Sequence, residues 1–492
     1  MQFENFYQKV SKPYVQFDFP LGRNRAKKYF NDVQKTGQVI HHRFLPFISI
    51  SITFEKHPTP EKPRNVKSRP ISLVSHSDAG IYTYYAEMLN DRYNAYVVNH
   101  GIDDVAVAYR TGGSQHHGSN ITAAHEVFDF IDASEEGWVL KGDFKGFFDH
   151  LNHKVLWRRF LNVIGELSND EKLAWTKVFD ELTRFRTIKK ATLIKRLKKS
   201  RRFVTVKKND KVAYFDNLKT LGDFLKENQD IINRNRTNEG IPQGTGLSAV
   251  MANVYMTEFD EKAKNMVYAL GGIYRRYSDD FVVVLPKTVS ELQFETLTDE
   301  MLKMSQDLVE LEIEHDKTKA LSFKHGEFFD LKKDNQSAGL DYLGFLFANN
   351  TVSIRGGSSY KYYYRGRKAL KSANTAKKIF EIASADSSLA VDDIYKQLIK
   401  GNQSGGAATA LKNKIQRILF HVKRGTGLPE IHNSYRRYVI DPEFSKPRTS
   451  FISYAIRAEE EFSKGSHSYR VVINKQLNKQ RARLAIKYLH ET

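Results

Sequence analysis

Residues 273–286 read IYRRYSDDFVVVLP, two short β-prone runs on either side of Ser278, Asp279 and Asp280. Such a pattern predicts a tight antiparallel hairpin, and the turn would carry two carboxylates at the tip of a rigid support. Asp is common in turns because its side chain bonds nearby backbone, so the pair alone is compatible with an ordinary solvated hairpin. The flanking sequence changes that weight. Upstream, Gly137–Leu140 reads as a strand running into Asp143, followed by a helix over His153–Val163. Strand, carboxylate, helix is an arrangement that presents an acid at a sheet edge.

Between these two loci lies GIPQGTGLSAVMANVYMTEFD (240–260), a glycine-rich turn followed by a helix marked by Leu247, Val250, Met251 and Val254. Before them, FLPFISISITF (44–54) reads as a strand, Pro58, Pro60 and Pro63 interrupt regular structure, and KSRPISLVS (67–75) follows. A helix is expected next, with Ser77 and Asp78 as its cap and Ile81, Tyr85 and Met88 on one face. Residues 184–211 change character, carrying repeated Lys and Arg with few acids and interleaved apolar residues, which reads as an insertion; a charged hairpin and a nucleic-acid contact are both open for it. LDYLGFLF (340–347) reads as a strand pair, and beyond about 351 the pattern is mainly helical, with loops near 401–407 and 424–428.

A chain of 492 residues exceeds one ordinary hydrophobic core, so two to four cooperating subdomains are expected. Hydrophobic residues at 40% and aromatics at 12% place it among folded globular proteins. Lys and Arg number 77 against 57 Asp and Glu, a net charge of +20, and nucleic-acid phosphate is the commonest counter-charge for such an excess. Cysteine is absent, which excludes disulfides, thiolate zinc sites and cysteine nucleophiles, so any metal must sit on carboxylates or histidines. The opening MQFENFYQKV lacks an apolar run, and the expectation is a soluble, cytoplasmic protein.

DFKGFFD (143–149), GIPQGTGLSA (240–249) and YSDD (277–280) stand in the order and spacing of three motifs of reverse transcriptases, and the chain resembles that family over roughly residues 65–350. KSRPI (67–71), AYRTGG (108–113), EHDKTK (314–319) and LDYLGF (340–345) extend the likeness. The resemblance implies an RNA-directed DNA polymerase that adds deoxynucleotides by phosphoryl transfer. Asp143, Asp279 and Asp280 would be the catalytic carboxylates holding two Mg2+ ions, or Mn2+ in their place, with the carbonyl of Phe144 completing one shell. Arg69 and Lys67 match residues that grip the triphosphate, Gln243 the residue near the incoming nucleotide, and Lys317 the region of a lysine that protonates the leaving pyrophosphate. Phe148, five positions after Asp143, matches the aromatic ring that collides with a ribose 2′ hydroxyl, and the resemblance favours that role over an ordinary core Phe. RNA polymerases of this type place an acid there, and here the acid, Asp149, is displaced by one. Arg110, Tyr277, Lys361 and Arg365 are the expected nucleic-acid contacts, the last two within SYKYYYRGRK (359–368), where rings alternate with cations.

The fold implied is α+β, a right-hand polymerase of fingers, palm with an antiparallel sheet, and thumb, plus an α-helical C-terminal region. Its divisions would be an N-terminal extension and fingers (1–135), palm (136–182), basic insertion (183–239), palm (240–350), and thumb with C-terminal extension (351–492). Within the family, the basic insertion and helical tail look most like bacterial defence-associated enzymes of the abortive-infection and unknown-group lineages. That likeness implies a noncoding RNA template, a DNA product, dNTP substrates, protein priming and a homo-oligomer. A retron or group II intron-type enzyme is the alternative within the family, and a catalytically inactive RNA-binding scaffold the alternative of another class.

Overall fold

The strand Asp280–Pro286 is buried from Phe281 to Leu285 without alternation, because this apolar run has packed structure on both of its faces. Each such side chain contributes about 1.5–3 kcal/mol when taken fully from water. The strand lies between Glu136–Asp143 and Ile273–Tyr277, pairing antiparallel with both, and Lys319–Lys324 flanks Glu136–Asp143 on the other side. Gly142 faces Phe281 across the strands, and a Cβ there would meet that ring at 2.2 Å, so the glycine is what allows the ring to lie over the neighbouring strand. The ring then packs against Phe144, at 5.5 Å between centroids.

The structure, a computed structural model, describes residues 1–56, 65–112, 119–201, 203–315, 317–399, 406–427, 435, 438 and 450–491. It divides into two compact units, Met1–Ala123 with Glu136–Ser322, and Ala124–Glu135 with Phe323–Thr492. In the first, helix Gly246–Tyr255 packs against both His76–Asn99 and His153–Ile164. A second sheet in this unit has the order Asn65–Leu73, Phe47–Lys56, Arg186–Lys189, Asn233–Arg234.

The basic stretch after residue 184 is a folded module. Helix Lys190–Ser200, the ribbon Val206–Lys208 with Lys211–Ala213, and helix Leu218–Glu227 close over Ile188, Leu193, Leu197, Tyr214, Phe215, Leu221 and Phe224, joined by Phe17 and Ile48. Ile188 pairs with Ile48, so the module is anchored through sheet register as well as through its core.

The second unit carries the hairpin Glu327–Asp330 with Gln336–Ala338 and a separate sheet of Leu340–Tyr342, Phe345–Ala348, Thr351–Ile354 and Arg470–Val471. Its helices include Gly356–Ala385, Val391–Leu398, Gly406–Lys423, Phe451–Phe462 and Ile473–Glu491. Ala376, Ile379, Ile394, Ile415 and Ile418 form a core among the first three. No helix among the described residues is long and apolar enough to cross a membrane.

Two local expectations change. The cap of helix His76–Asn99 is Ser75, which accepts from the Asp78 N–H, whereas Asp78 is buried and accepts from the Leu45 N–H and binds His42. Ser77 instead donates its N–H to Asp18. The expected loop at 401–407 yields to a helix from Gly406, and residues 401–405 lie outside the described residues.

Arg276, fully buried at the start of the hairpin turn, is clamped by Asp260 through Nε and Nη2, at 2.8 and 2.6 Å. Removing one partner of such a pair strands the other charge in the interior. Asp260→Ala is expected to cost about 3–5 kcal/mol of stability, measured as a drop in the midpoint of urea unfolding of the whole chain.

Candidate active site

The antiparallel register sets Asp143 directly opposite Asp280 on neighbouring strands. Residues so paired project on the same face, with Cβ atoms about 4.5–5.5 Å apart. Asp279 occupies the turn beside them, and its carbonyl accepts from the Phe144 N–H at 3.0 Å. Ser278 makes this possible by adopting a left-handed backbone, φ 61°, a conformation costly for a residue with a Cβ. The carbonyl of Ser278 is held by Nη1 of Arg276 at 2.9 Å, so the buried guanidinium fixes the tip that carries the acids.

Electrostatics agree with a crowded anionic site. Burial raises the Asp279 carboxyl above its ordinary range, the neighbouring charge of Asp143 raises it further, and Arg69 opposes the shift. Lys317 places Nζ 2.8 Å from Asp143 Oδ2 and 3.3 Å from Glu314 Oε2. Partial burial works against its charge, yet the bonds to Asp143 and Glu314 prevail and raise its pKa. An ammonium thus sits where a cation is electrostatically favoured. The backbone supports it, since Glu314 N–H donates to the Asp143 carbonyl at 2.8 Å.

Among the described residues no three His, Asp or Glu side chains form a ready-made metal cluster. Hard oxygen donors few in number nevertheless suit magnesium, which keeps several waters and takes phosphate oxygens as further ligands. Asp143, Asp279 and Asp280 are of that type. The Phe144 ring is buried against Phe147, Phe259 and Phe281, which fixes the backbone at the end of the strand.

A cavity of about 350 Å³ is lined by Arg69, Tyr109, Phe148, Gln243, Gly244 and Ser248, among others. Three residues singled out for nucleotide binding, Arg69, Phe148 and Gln243, therefore meet around one space from three distant parts of the chain. Arg69 comes from strand Asn65–Leu73, where it pairs with Ile52. Lys67 pairs with Phe54 in the same register, but its side chain lies outside the described residues. Phe148 rides a single 3-10 turn, Phe147–Asp149, and its carbonyl accepts from Ile241 N–H at 2.9 Å. The Gln243 carbonyl accepts from Ser72 N–H at 2.7 Å. Gly244 has φ 133° and a Cβ there would meet the Ser72 carbonyl oxygen at 2.4 Å, so this approach of turn to strand requires glycine. Thr245 then caps the following helix, accepting from Ser248 N–H, and Ser248 donates to the Pro242 carbonyl.

Arg110 is buried, with its donors directed to Asp103 and Asn94 and its guanidinium over the Tyr93 ring. This braces the neighbouring Tyr109, which is 49% exposed, takes φ 62° and reaches the cavity wall. Tyr277 is half-buried, and burial raises its hydroxyl pKa, with Tyr109 adding to the effect. Gly113, the end of the AYRTGG motif, lies outside the described residues. Lys361 and Arg365 are in the second unit, exposed on helix Gly356–Ala385 beside the stacked rings of Tyr360 and Tyr364, which are 6.5 Å apart.

Sequence reading alone passed over Arg276, Asp260 and Tyr109. An Arg inside a β-prone run was a signal for the first, because a buried charge needs a partner. Nothing in the local pattern singled out the other two.

Residues 59–347 match the family model described as Reverse transcriptase (RNA-dependent DNA polymerase). No curated protein matches the chain. Among solved structures, apo telomerase from Candida tropicalis truncated from its C-terminal domain is 11% identical with a TM-score of 0.38, over 68% of this chain and 61% of that one. Telomerase from Candida albicans in complex with the TWJ fragment of telomeric RNA is 12% identical, TM-score 0.35, over 90% and 70%. Apo telomerase from Candida tropicalis is 13% identical, TM-score 0.37, over 91% and 66%. The chain spans about 61% of the length of the first of these, and likenesses this slight carry no functional weight.

Phe148→Ala removes a ring from the cavity wall, and tests the expectation that this ring excludes a ribose 2′ hydroxyl. Its ratio of ribonucleotide to deoxynucleotide incorporation is expected to rise about 10- to 200-fold, the range for a steric pocket, read from competing nucleotides in single-step primer extension.

Proposed function

Because the chain belongs to the reverse transcriptase family, we propose that it is an RNA-directed DNA polymerase whose catalytic carboxylates are Asp143, Asp279 and Asp280. The observation that carries this reading is the pairing of Asp143 with Asp280, together with a cavity that Arg69, Phe148 and Gln243 line, Arg69 being the residue whose charge also acts on Asp279. The three carboxylates would hold two Mg2+ ions, which when bound supply Lewis-acid stabilisation of charge on the transferring phosphoryl group. Arg69 offers a planar fork of donors to the triphosphate. The Gln243–Gly244 turn brings backbone close to the nucleotide, and the Phe148 ring excludes ribose. Lys317 holds a proton on Nζ beside Asp143 and is the donor for the leaving pyrophosphate.

Its setting, on this proposal, is bacterial antiphage defence, with a noncoding RNA as template and the chain itself as a source of the priming hydroxyl. The folded basic module after residue 184 and the helical C-terminal region support the reading, since each adds structure that the chemistry itself does not require. Sequencing the nucleic acid that copurifies with the protein, and testing it for a covalent link, separates this from a retron or intron-type enzyme, whose product would carry no bond to the protein.

Asp279→Ala is expected to lower dNTP incorporation on an RNA template more than about a hundredfold, as loss of a metal-site carboxylate does, while RNA binding by filter retention stays near wild type. Undiminished incorporation by the purified variant would remove the mechanism and favour an inactive scaffold.

A further inference from the structure

Residues 184–213 contain 13 Lys and Arg and one acid, Asp210. The fold accounts for part of this charge. Arg186 donates to the Phe44 carbonyl, Arg196 pairs with Asp230, Arg201 reaches the carbonyls of Val204 and Tyr214, and Lys211 donates to the Pro20 carbonyl. Lys189, Lys190, Lys195, Lys198, Lys199 and Lys208 are exposed, and none of them pairs with an acid among the described residues, where the ion pairs of this stretch are those of Arg186, Arg196 and Lys207.

Local structure does not explain them either. Cations at the end of helix Lys190–Ser200 suit the macrodipole, which covers Lys198 and Lys199. Lys189 and Lys190 are at its opposite end, where the dipole disfavours positive charge, no acid occupies the first turn, and the Lys189 side chain makes no capping bond. Lys195 and Lys199 stand one turn apart as like charges, a spacing that weakens a helix. The helix is held by burial of Leu193 and Leu197 on its other side. Just beyond it Phe203 is 68% exposed, an unusual position for a ring whose burial would be favourable.

We infer that this lysine face, with Phe203 at its end, is a docking surface for a single strand of nucleic acid, the lysines meeting its phosphates and Phe203 stacking on an unpaired base. Phosphate supplies the counter-charge that the fold withholds, and an exposed ring selects a strand whose base faces are free, which a duplex does not offer. The inference goes beyond the polymerase reading and draws from it only the expectation that nucleic acid is present.

The test is fluorescence anisotropy of the full chain with labelled oligouridylate, oligothymidylate and a blunt duplex across a salt series. A variant carrying Lys195→Glu, Lys198→Glu and Lys199→Glu is expected to reduce the slope of log affinity against log salt by about 2, at roughly 0.7 per phosphate contact on single strands. Phe203→Ala is expected to weaken both single strands about tenfold while leaving that slope and duplex binding unchanged. The Gln-substituted triple variant, with helicity checked by circular dichroism, guards against misfolding and should show the same loss of slope. An unchanged slope in a folded triple variant, or equal loss of duplex and single-strand binding by Phe203→Ala, would overturn the surface. Failure of the polymerase reading has a separate signature, absence of primer extension by the wild-type chain.

Discussion

One buried guanidinium organises the site. Arg276 is fully excluded from solvent, and placing an unpaired ion there would cost several kcal/mol. Asp260, also fully buried, answers it with two parallel bonds, Tyr274 donates to Asp260 Oδ1, and the remaining donors of Arg276 go to Ser278 and Asn253. Asn253 in turn donates to the Ala108 carbonyl, while the Arg276 backbone exchanges bonds with Val105 and Val107. Helix Gly246–Tyr255, the acid-bearing hairpin and the segment presenting Tyr109 are thereby tied to a single side chain. An apolar replacement of the pair could pack as well, but it would not hold the Ser278 carbonyl.

Such rigidity is needed because the tip stores unfavourable energy. Like charges directly across two strands repel, and Asp279 adds a third acid whose ionisation burial resists. Ser278 and Tyr109 both hold left-handed backbone, which non-glycine residues avoid outside sites where the surroundings impose it. Lys317 relieves part of the repulsion. The arrangement is one that gains from an added cation, and the fold supplies its cohesion from elsewhere: from the apolar strand Asp280–Pro286 and from the aromatic packing of Phe144, Phe147, Phe259 and Phe281.

The module after residue 184 shows a different balance. Its interior is an ordinary apolar core, but its exterior concentrates positive charge of which only part is paired with acids among the described residues. Its strand joins the sheet that also carries Arg69, so the module is continuous with the scaffold that lines the cavity of Arg69, Phe148 and Gln243.

Local periodicity was enough to read the hairpin at 273–286, the strand ending at Asp143 and the helix after the glycine-rich turn, since each depends on residues a few positions apart. The acids themselves could be named from motif order. Their juxtaposition could not, because it rests on a strand register between residues far apart in the chain, where a one-residue slip would send every side chain to the other face. The same holds for Asp260 beneath Arg276, for Arg110 turned inward while Tyr109 turns outward, and for Ser75 rather than Ser77 as a cap. Composition raised the expectation of an anionic partner; only three-dimensional packing decided which cations the protein uses for itself and which it leaves facing water, because partners such as Asp230 for Arg196 and the carbonyl of Pro20 for Lys211 are brought to them by the fold rather than by neighbourhood in the sequence.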